Sequence, residues 1–90
     1  MPTIKFTSAL NQFFPDLKEL SVEGTTVKEI VTNVSKTVPG IHHYLLEEDG
    51  SLRKHINIFI EEDLIIDRTH LLDPVEEGDE LLIYQALSGG

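Results

Sequence analysis

The chain has 90 residues, with seven Lys or Arg against sixteen Asp or Glu, a formal charge of −9, four His and no Cys. About 100 residues hold one small hydrophobic core and leave no room for a second catalytic domain; 40% hydrophobic with 26% charged residues is globular composition, not that of a disordered chain. The missing cysteine excludes disulfides, thiolate zinc sites and side-chain thiol chemistry, and seven scattered basic residues disfavour nucleic acid.

The acidic field suits attraction to a basic protein surface, and it also serves plain solubility. Met1-Pro2-Thr3-Ile4-Lys5-Phe6 carries no charged stretch leading into an apolar run, so no secretory signal is expected. No apolar run approaches the roughly 20 residues of a membrane span. A cytoplasmic protein is expected.

In chain order, Ile4 and Phe6 alternate with Lys5 and Thr7, the period-2 pattern of a half-buried strand. A loop with Phe13, Phe14 and Pro15 follows. Leu20 and Val22 then read as a second strand, Gly24 supplies a turn, and the pair reads as a hairpin. Thr26-Val27-Lys28-Glu29 has capping-box spacing. Val27, Ile30, Val31, Val34 and Val38 recur at helical spacing, with Lys28, Glu29, Asn33 and Lys36 toward water, until Pro39-Gly40 stops the helix. Residues 41–46 allow one more helical turn before the solvated Glu47-Glu48-Asp49-Gly50. Ile56, Ile58 and Ile60 share one face of the strongest strand; a short apolar piece, Leu64-Ile65-Ile66, comes next. Pro74 and the turn Glu76-Glu77-Gly78-Asp79 lead into a last strand from Leu81 to Tyr84. The order β-β-α-β-β predicts an α+β fold: a mixed sheet with one long helix packed on one face, since a crossover of that length can return to a parallel partner. The domain spans residues 1–84, and residues 85–90 form a C-terminal tail.

Side-chain chemistry is thin. Only Gly24 precedes the main helix, so no phosphate-cradling glycine loop is present. His42 and His43 are adjacent rather than four apart, which on a helix aims them about 100° from each other and away from a common ion. His55 lies opposite Ile56 and His70 lies in a loop, neither beside a Ser or Cys in sequence. Glu47-Glu48-Asp49 and Glu61-Glu62-Asp63 lack the alternating spacing of a calcium loop and read as solvated turns. The unexplained feature is Gly89-Gly90. Two glycines pack nothing and cost the most backbone entropy on ordering. They do make an unhindered thread, whose carboxylate can enter a narrow active site on another protein, although a frayed terminus would look the same.

With these residues in place, the sequence resembles the MoaD/ThiS family of ubiquitin-like sulfur carriers over nearly its whole length. The most specific parts are Asn57-Ile58-Phe59-Ile60 and Leu72-Asp73-Pro74-Val75-Glu76-Glu77-Gly78-Asp79-Glu80-Leu81, the latter similar to the family's L-x-T-P-V-x-x-G-D-E-V turn. The resemblance implies a β-grasp fold and no intrinsic cofactor. It also implies that Gly90 is adenylated by an ATP-using enzyme of the ubiquitin-activating type, then converted to a thiocarboxylate with sulfur from a donor protein. Leu87, Ser88 and Gly89 form the thread before it. Many family tails read Val-Ala-Gly-Gly, so the partner's channel must accept the larger Leu87 and the hydroxyl of Ser88. Tyr84 matches a large apolar or aromatic position that lies against activating enzymes, and Leu64 is a looser match to a second one; core packing is the alternative for both.

The middle of the chain, Pro39-Gly40-Ile41 through Asn57-Ile58-Phe59, is longer than in thiamine-type carriers. It looks most like the carriers that feed sulfur to a pyridoxal-phosphate cysteine synthase, with a metalloprotease releasing the product. The small subunit of molybdopterin synthase, acting with its large subunit, is the nearest alternative. A ubiquitin-like modifier joined to lysines through Gly90 is another.

Overall fold

Strands that alternate apolar with polar residues must turn every second side chain to a core, and the three with the clearest alternation form the middle of a five-stranded sheet. In the computed structural model, which describes residues 1–15 and 17–86, these are β1 (Thr3–Phe6), β3 (Ile56–Ile60) and β5 (Glu80–Gln85). Two short strands, β2 (Leu20–Ser21) and β4 (Asp63–Leu64), complete the order β2-β1-β5-β3-β4. The sheet is mixed, as predicted: β1 and β5 run parallel, and the other three pairs are antiparallel. Register puts Ile4 beside Leu81, Phe6 and Ile58 beside Ile83, and Ile60 beside Leu81, all on one face.

That face is covered by helix α1 (Val27–Thr37) and the short helix α2 (Ile41–Leu45). Val27, Ile30, Val31 and Val34 of α1 and Ile41 and Leu45 of α2 are buried with Ile4, Ile58, Leu81 and Ile83 in one cluster, and no polar residue is buried among the described residues. Gly40 lies between the helices with φ of 89°, a left-handed turn that favours glycine.

Four elements differ from the sequence reading. β1 and β2 pair antiparallel, as the hairpin reading expects, but through a long excursion: after Phe6 the chain runs out through a 3₁₀ turn at Ser8–Gln12 that buries Leu10. Phe13 and Phe14 of this excursion pack on Tyr44 of α2, with ring centroids 4.8 and 5.1 Å away. The second strand stops at Ser21, and Val22 continues only through its N–H to Pro2 O (3.1 Å). The apolar piece at residues 64–66 is not one strand, because β4 ends at Leu64, Ile65 alone is buried and Ile66 is 90% exposed. The capping box is shifted too. Thr26 Oγ1 accepts from the Glu29 N–H (3.2 Å), but the Glu29 carboxylate accepts from the N–H of Thr25 (2.8 Å) rather than of Thr26.

The first helical N–H groups, which no helix satisfies internally, find carbonyls in the loop before β5. Val27 N–H donates to Asp73 O (3.1 Å) and Lys28 N–H to Leu71 O (2.8 Å), while Val75 N–H donates to Thr25 O (2.9 Å). The segment Leu72-Asp73-Pro74-Val75 thus caps α1 and aims the chain into β5. The Asp73 carboxylate also accepts from the N–H groups of Ile66 and Asp67 at 2.9 and 2.8 Å.

Asp67 organises the same loop. Its carboxylate accepts from the N–H groups of His70 (2.8 Å), Thr69 (3.1 Å) and Leu72 (3.2 Å). These bonds, His70's foremost, hold its pKa below the usual carboxylate value against a smaller opposing effect of desolvation. A depressed native pKa contributes stability above the unfolded Asp value, about 3.9, and that contribution fades as pH falls through the native value. Asp67→Asn is therefore less resistant to urea than wild type at pH 7, and the gap narrows on acidification below about pH 4. Parallel urea titrations from pH 7 to pH 3 check this; a gap that widens toward acid contradicts it.

Close approach sets a second sensitive point. A Cβ on Gly24 would lie 2.7 Å from Ile30 Cδ1 and 3.1 Å from Ile30 N, and Ile30 is fully buried. Gly24→Ala lowers unfolding stability by about 1–3 kcal/mol, the usual cost of overpacking. Denaturant unfolding reads it directly, and a variant as stable as wild type removes the argument.

Candidate docking face and tail root

Side chains that alternate with the core residues must emerge on the other side of the sheet. Lys5 of β1, Leu82 of β5, Phe59 of β3 and Leu64 of β4 pair in register as one row across four strands. In the next row Tyr84 pairs with Asn57. Leu64 is 50% exposed and Tyr84 40%, so neither belongs to the core. The sheet brings these two candidates to one open face and joins them through the half-buried Phe59 and Leu82. Sequence reasoning did not single out Phe59 or Leu82, yet the signal was present: each lies between two core residues of an alternating strand.

The two ends of this face differ in charge. At one end, Lys5 Nζ sits 2.5 Å from Glu80 and 3.9 Å from Glu19. The hydrogen bond and charge of Glu80 raise its pKa above the ordinary lysine value. Glu61, Glu62 and Asp63, all exposed, form the tight turn from β3 to β4, with Glu61 N–H donating to Glu80 O (2.7 Å). At the other end Arg68 donates to Asn57 Oδ1 and to Arg53 O, both at 2.7 Å, which pins the Asn57 side chain. An apolar centre with an acidic end is the form of a protein-docking surface for a basic partner.

The sheet ladder continues past Tyr84. Gln85 N–H donates to Thr7 Oγ1 (3.1 Å) and Ala86 N–H to His55 O (2.8 Å). The boundary drawn after Tyr84 thus falls inside the ladder, whose last described bond belongs to Ala86. Leu87, Ser88, Gly89 and Gly90 lie outside the described residues. The His42 and His43 rings, expected to diverge, lie with centroids 3.9 Å apart and planes tilted by 39°. Among the described residues no group of three or more His, Asp or Glu is placed to hold a metal ion. Asp49 instead accepts from the Ser51 hydroxyl (2.6 Å) and N–H (2.9 Å), the hydroxyl foremost in lowering its pKa.

Comparison with protein families gives a match to the ThiS family model over residues 4–90. The chain belongs to the ThiS family. Among solved structures, a chain of the Amycolatopsis orientalis BexX/CysO complex is 27% identical, with 100% of both chains covered and a TM-score of 0.85. Mycobacterium tuberculosis CysO is 20% identical, covering 97% of this chain and 100% of its own, with a TM-score of 0.83. SAMP1 of Haloferax volcanii is 23% identical over 99% and 98%, with a TM-score of 0.78. A search of curated proteins found no match. The likeness establishes the ubiquitin-like β-grasp fold that the sequence resemblance implied. In this ThiS-family chain the open face of the grasp carries the Leu64–Tyr84 patch. Among the described residues no helix is long and apolar enough to cross a membrane.

Proposed function

We propose that the chain is a cytoplasmic sulfur carrier that works as a protein substrate of partner enzymes, with the Gly90 carboxylate as its reacting group. A free carboxylate is a poor electrophile. An ATP-using enzyme of the ubiquitin-activating type converts it to an acyl-adenylate, with pyrophosphate as leaving group, and sulfur that the donor protein releases at the oxidation level of sulfide displaces AMP to leave a terminal thiocarboxylate. ATP belongs to the partner; the carrier needs no cofactor of its own. Leu87, Ser88 and Gly89 thread the partner's channel, and Leu64 and Tyr84 dock on its surface. The acceptor is a pyridoxal-phosphate cysteine synthase, where the thiocarboxylate sulfur adds to an enzyme-bound aminoacrylate. A metalloprotease then cleaves the added residue away by hydrolysis and restores Gly90.

The observation that carries this reading is the likeness, over the full length of both chains, to a chain of the BexX/CysO complex. Intact-mass measurement after incubation with the cognate adenylating enzyme, ATP and the sulfur donor tests it. The mass rises by the difference between sulfur and oxygen, rises further by the added residue once the cysteine synthase and its aminoacrylate-forming substrate are present, and returns to the starting value when the metalloprotease is added. An unchanged mass overturns the carrier reading; discharge only by the large subunit of molybdopterin synthase reassigns the acceptor.

A further inference from the structure

Hydrogen bonds and ion pairs hold two cations at the open face of the sheet, and only one of them is neutralised within the chain. Lys5 is held by Glu80 and Glu19. Arg68 has no carboxylate of the described residues within 4.0 Å of its guanidinium, in a chain with sixteen Asp and Glu. The carboxylate nearest in sequence, that of Asp67, accepts instead from the N–H groups of Thr69, His70 and Leu72. The other arginine, Arg53, pairs with Glu47 at 2.9 Å.

Arg68 is nonetheless fixed. One terminal nitrogen donates to Asn57 Oδ1 and the other to Arg53 O, both at 2.7 Å, and the residue is half-buried. Both acceptors are neutral, so they orient the guanidinium without cancelling its charge, and they take two of its five N–H donors. Asn57 lies between the buried Ile56 and Ile58 and opposite Tyr84. Its side chain, with the guanidinium bound to it, therefore stands on the same side of the sheet as Tyr84. β5 runs from the acidic end of this face at Glu80 toward Tyr84, and then to the last described ladder bond at Ala86. The uncompensated charge thus sits at the end from which the tail departs.

We propose that Arg68 is an anchor of the docking face and pairs with an Asp or Glu carboxylate on the adenylating partner. A planar fork that is always charged matches a carboxylate, and one already oriented by hydrogen bonds loses little freedom on binding. Arg beside Tyr is also the pairing of residue types that carries much of the energy at protein interfaces. The partner's surface is then basic opposite Glu61, Glu62, Asp63 and Glu80 and acidic opposite Arg68. A carrier turned end for end would meet like charges at both ends, so this contact fixes which way the tail points. The inference rests on the carrier reading, and it adds to Leu64 and Tyr84 the contact that sets orientation.

The test is pyrophosphate exchange by the cognate adenylating enzyme, with full-length wild type, Arg68→Lys and Arg68→Gln, beside thermal unfolding of each chain alone. Neither replacement supplies the planar fork that reaches both Asn57 and Arg53, so both lower the unfolding midpoint by a similar amount. They part in exchange. Arg68→Gln raises the KM for the carrier about tenfold at low salt, the effect of one charge-assisted hydrogen bond, with kcat unchanged. Arg68→Lys keeps the charge without the fork and raises KM by no more than about threefold. A purely structural role would move KM equally in both. Equal KM values for the two variants, or Arg68→Gln with the wild-type KM, overturn the proposal. A second measurement needs only the Arg68→Lys chain: carbodiimide, which joins an amine to a carboxylate in contact with it, links the substituted position to an Asp or Glu of the enzyme, read by mass spectrometry of the digested complex. A digest without that link overturns the proposal as well. Wild type that supports no exchange overturns the carrier reading, whereas failure of the Arg68 variants against a working wild type removes this inference alone.

Discussion

Deleting Gly89 and Gly90 abolishes sulfur loading and leaves the fold intact. The buried core runs from Ile4 to Ile83, and the last described ladder bond is that of Ala86. Unfolding stability therefore changes by no more than about 0.5 kcal/mol, the range of surface changes remote from core and caps. Loading ends because the carboxylate that remains belongs to Ser88, two residues short and attached to a carbon bearing a side chain. Gly90 has no Cβ, so its carboxylate can pass through a channel only as wide as the backbone, as the proposed function requires. Intact-mass measurement reads both halves of the prediction when paired with a urea curve: no gain of sulfur, and an unshifted midpoint. A truncated chain that still takes up sulfur would show that Gly90 is not the reacting group. A Gly90→Ala chain separates reach from width, since it restores one of these without the other.

The second large effect is expected on the open face. Truncating Leu64 and Tyr84 together to Ala removes the two most exposed apolar side chains of the patch that Phe59 and Leu82 complete. Residues at the centre of a desolvated protein interface cost about 2 kcal/mol or more each when truncated, and 2 kcal/mol corresponds to roughly thirtyfold in apparent affinity. The carrier's KM in adenylation rises by at least that factor. The kcat holds, because in the proposed function these side chains meet the partner's surface and not the reacting carboxylate. Both are largely exposed in the free chain, so its stability falls little. Phe13→Ala, an exposed aromatic packed on Tyr44 of α2 and outside this face, is the control. Equal KM values for the control and the double variant would remove the docking assignment.

The elements legible in the sequence are those where a period and a burial requirement coincide. α1 shows a 3.6-residue stripe behind a Thr cap, and β1, β3 and β5 show strict alternation; each pattern admits one orientation toward the core. The excursion at residues 7–19 has no period to read, because a short 3₁₀ turn buries a single residue, Leu10. β4 is two exposed residues whose place is fixed by the preceding turn. Glu61 there adopts φ of 55°, a conformation usually flagged by glycine or asparagine and here by neither. Asp67 and Asp73, to which no sequence pattern assigns a structural role, bind backbone N–H groups, a role that depends on where a loop returns. For the site, alternation placed Tyr84 outward and implied Phe59 and Leu82 beside it. Leu64 joins them only because of the β3–β4 register, which no local signal specifies.

The parallel pairing of β1 with β5 has a consequence for synthesis. β1 pairs at the sheet's centre with β5, which is synthesised after every other strand of this sheet, and β3 lies on the far side of that same late strand. Until residues 80–85 are made, β1 and β3 have open edges and the core lacks Leu81 and Ile83. Such distant pairing makes closure late and slow. A prematurely ended chain is thus left open to proteolysis, while a chain that has folded has already made the strand that leads into its tail. Any partner that binds only the folded grasp therefore meets chains in which that strand is complete.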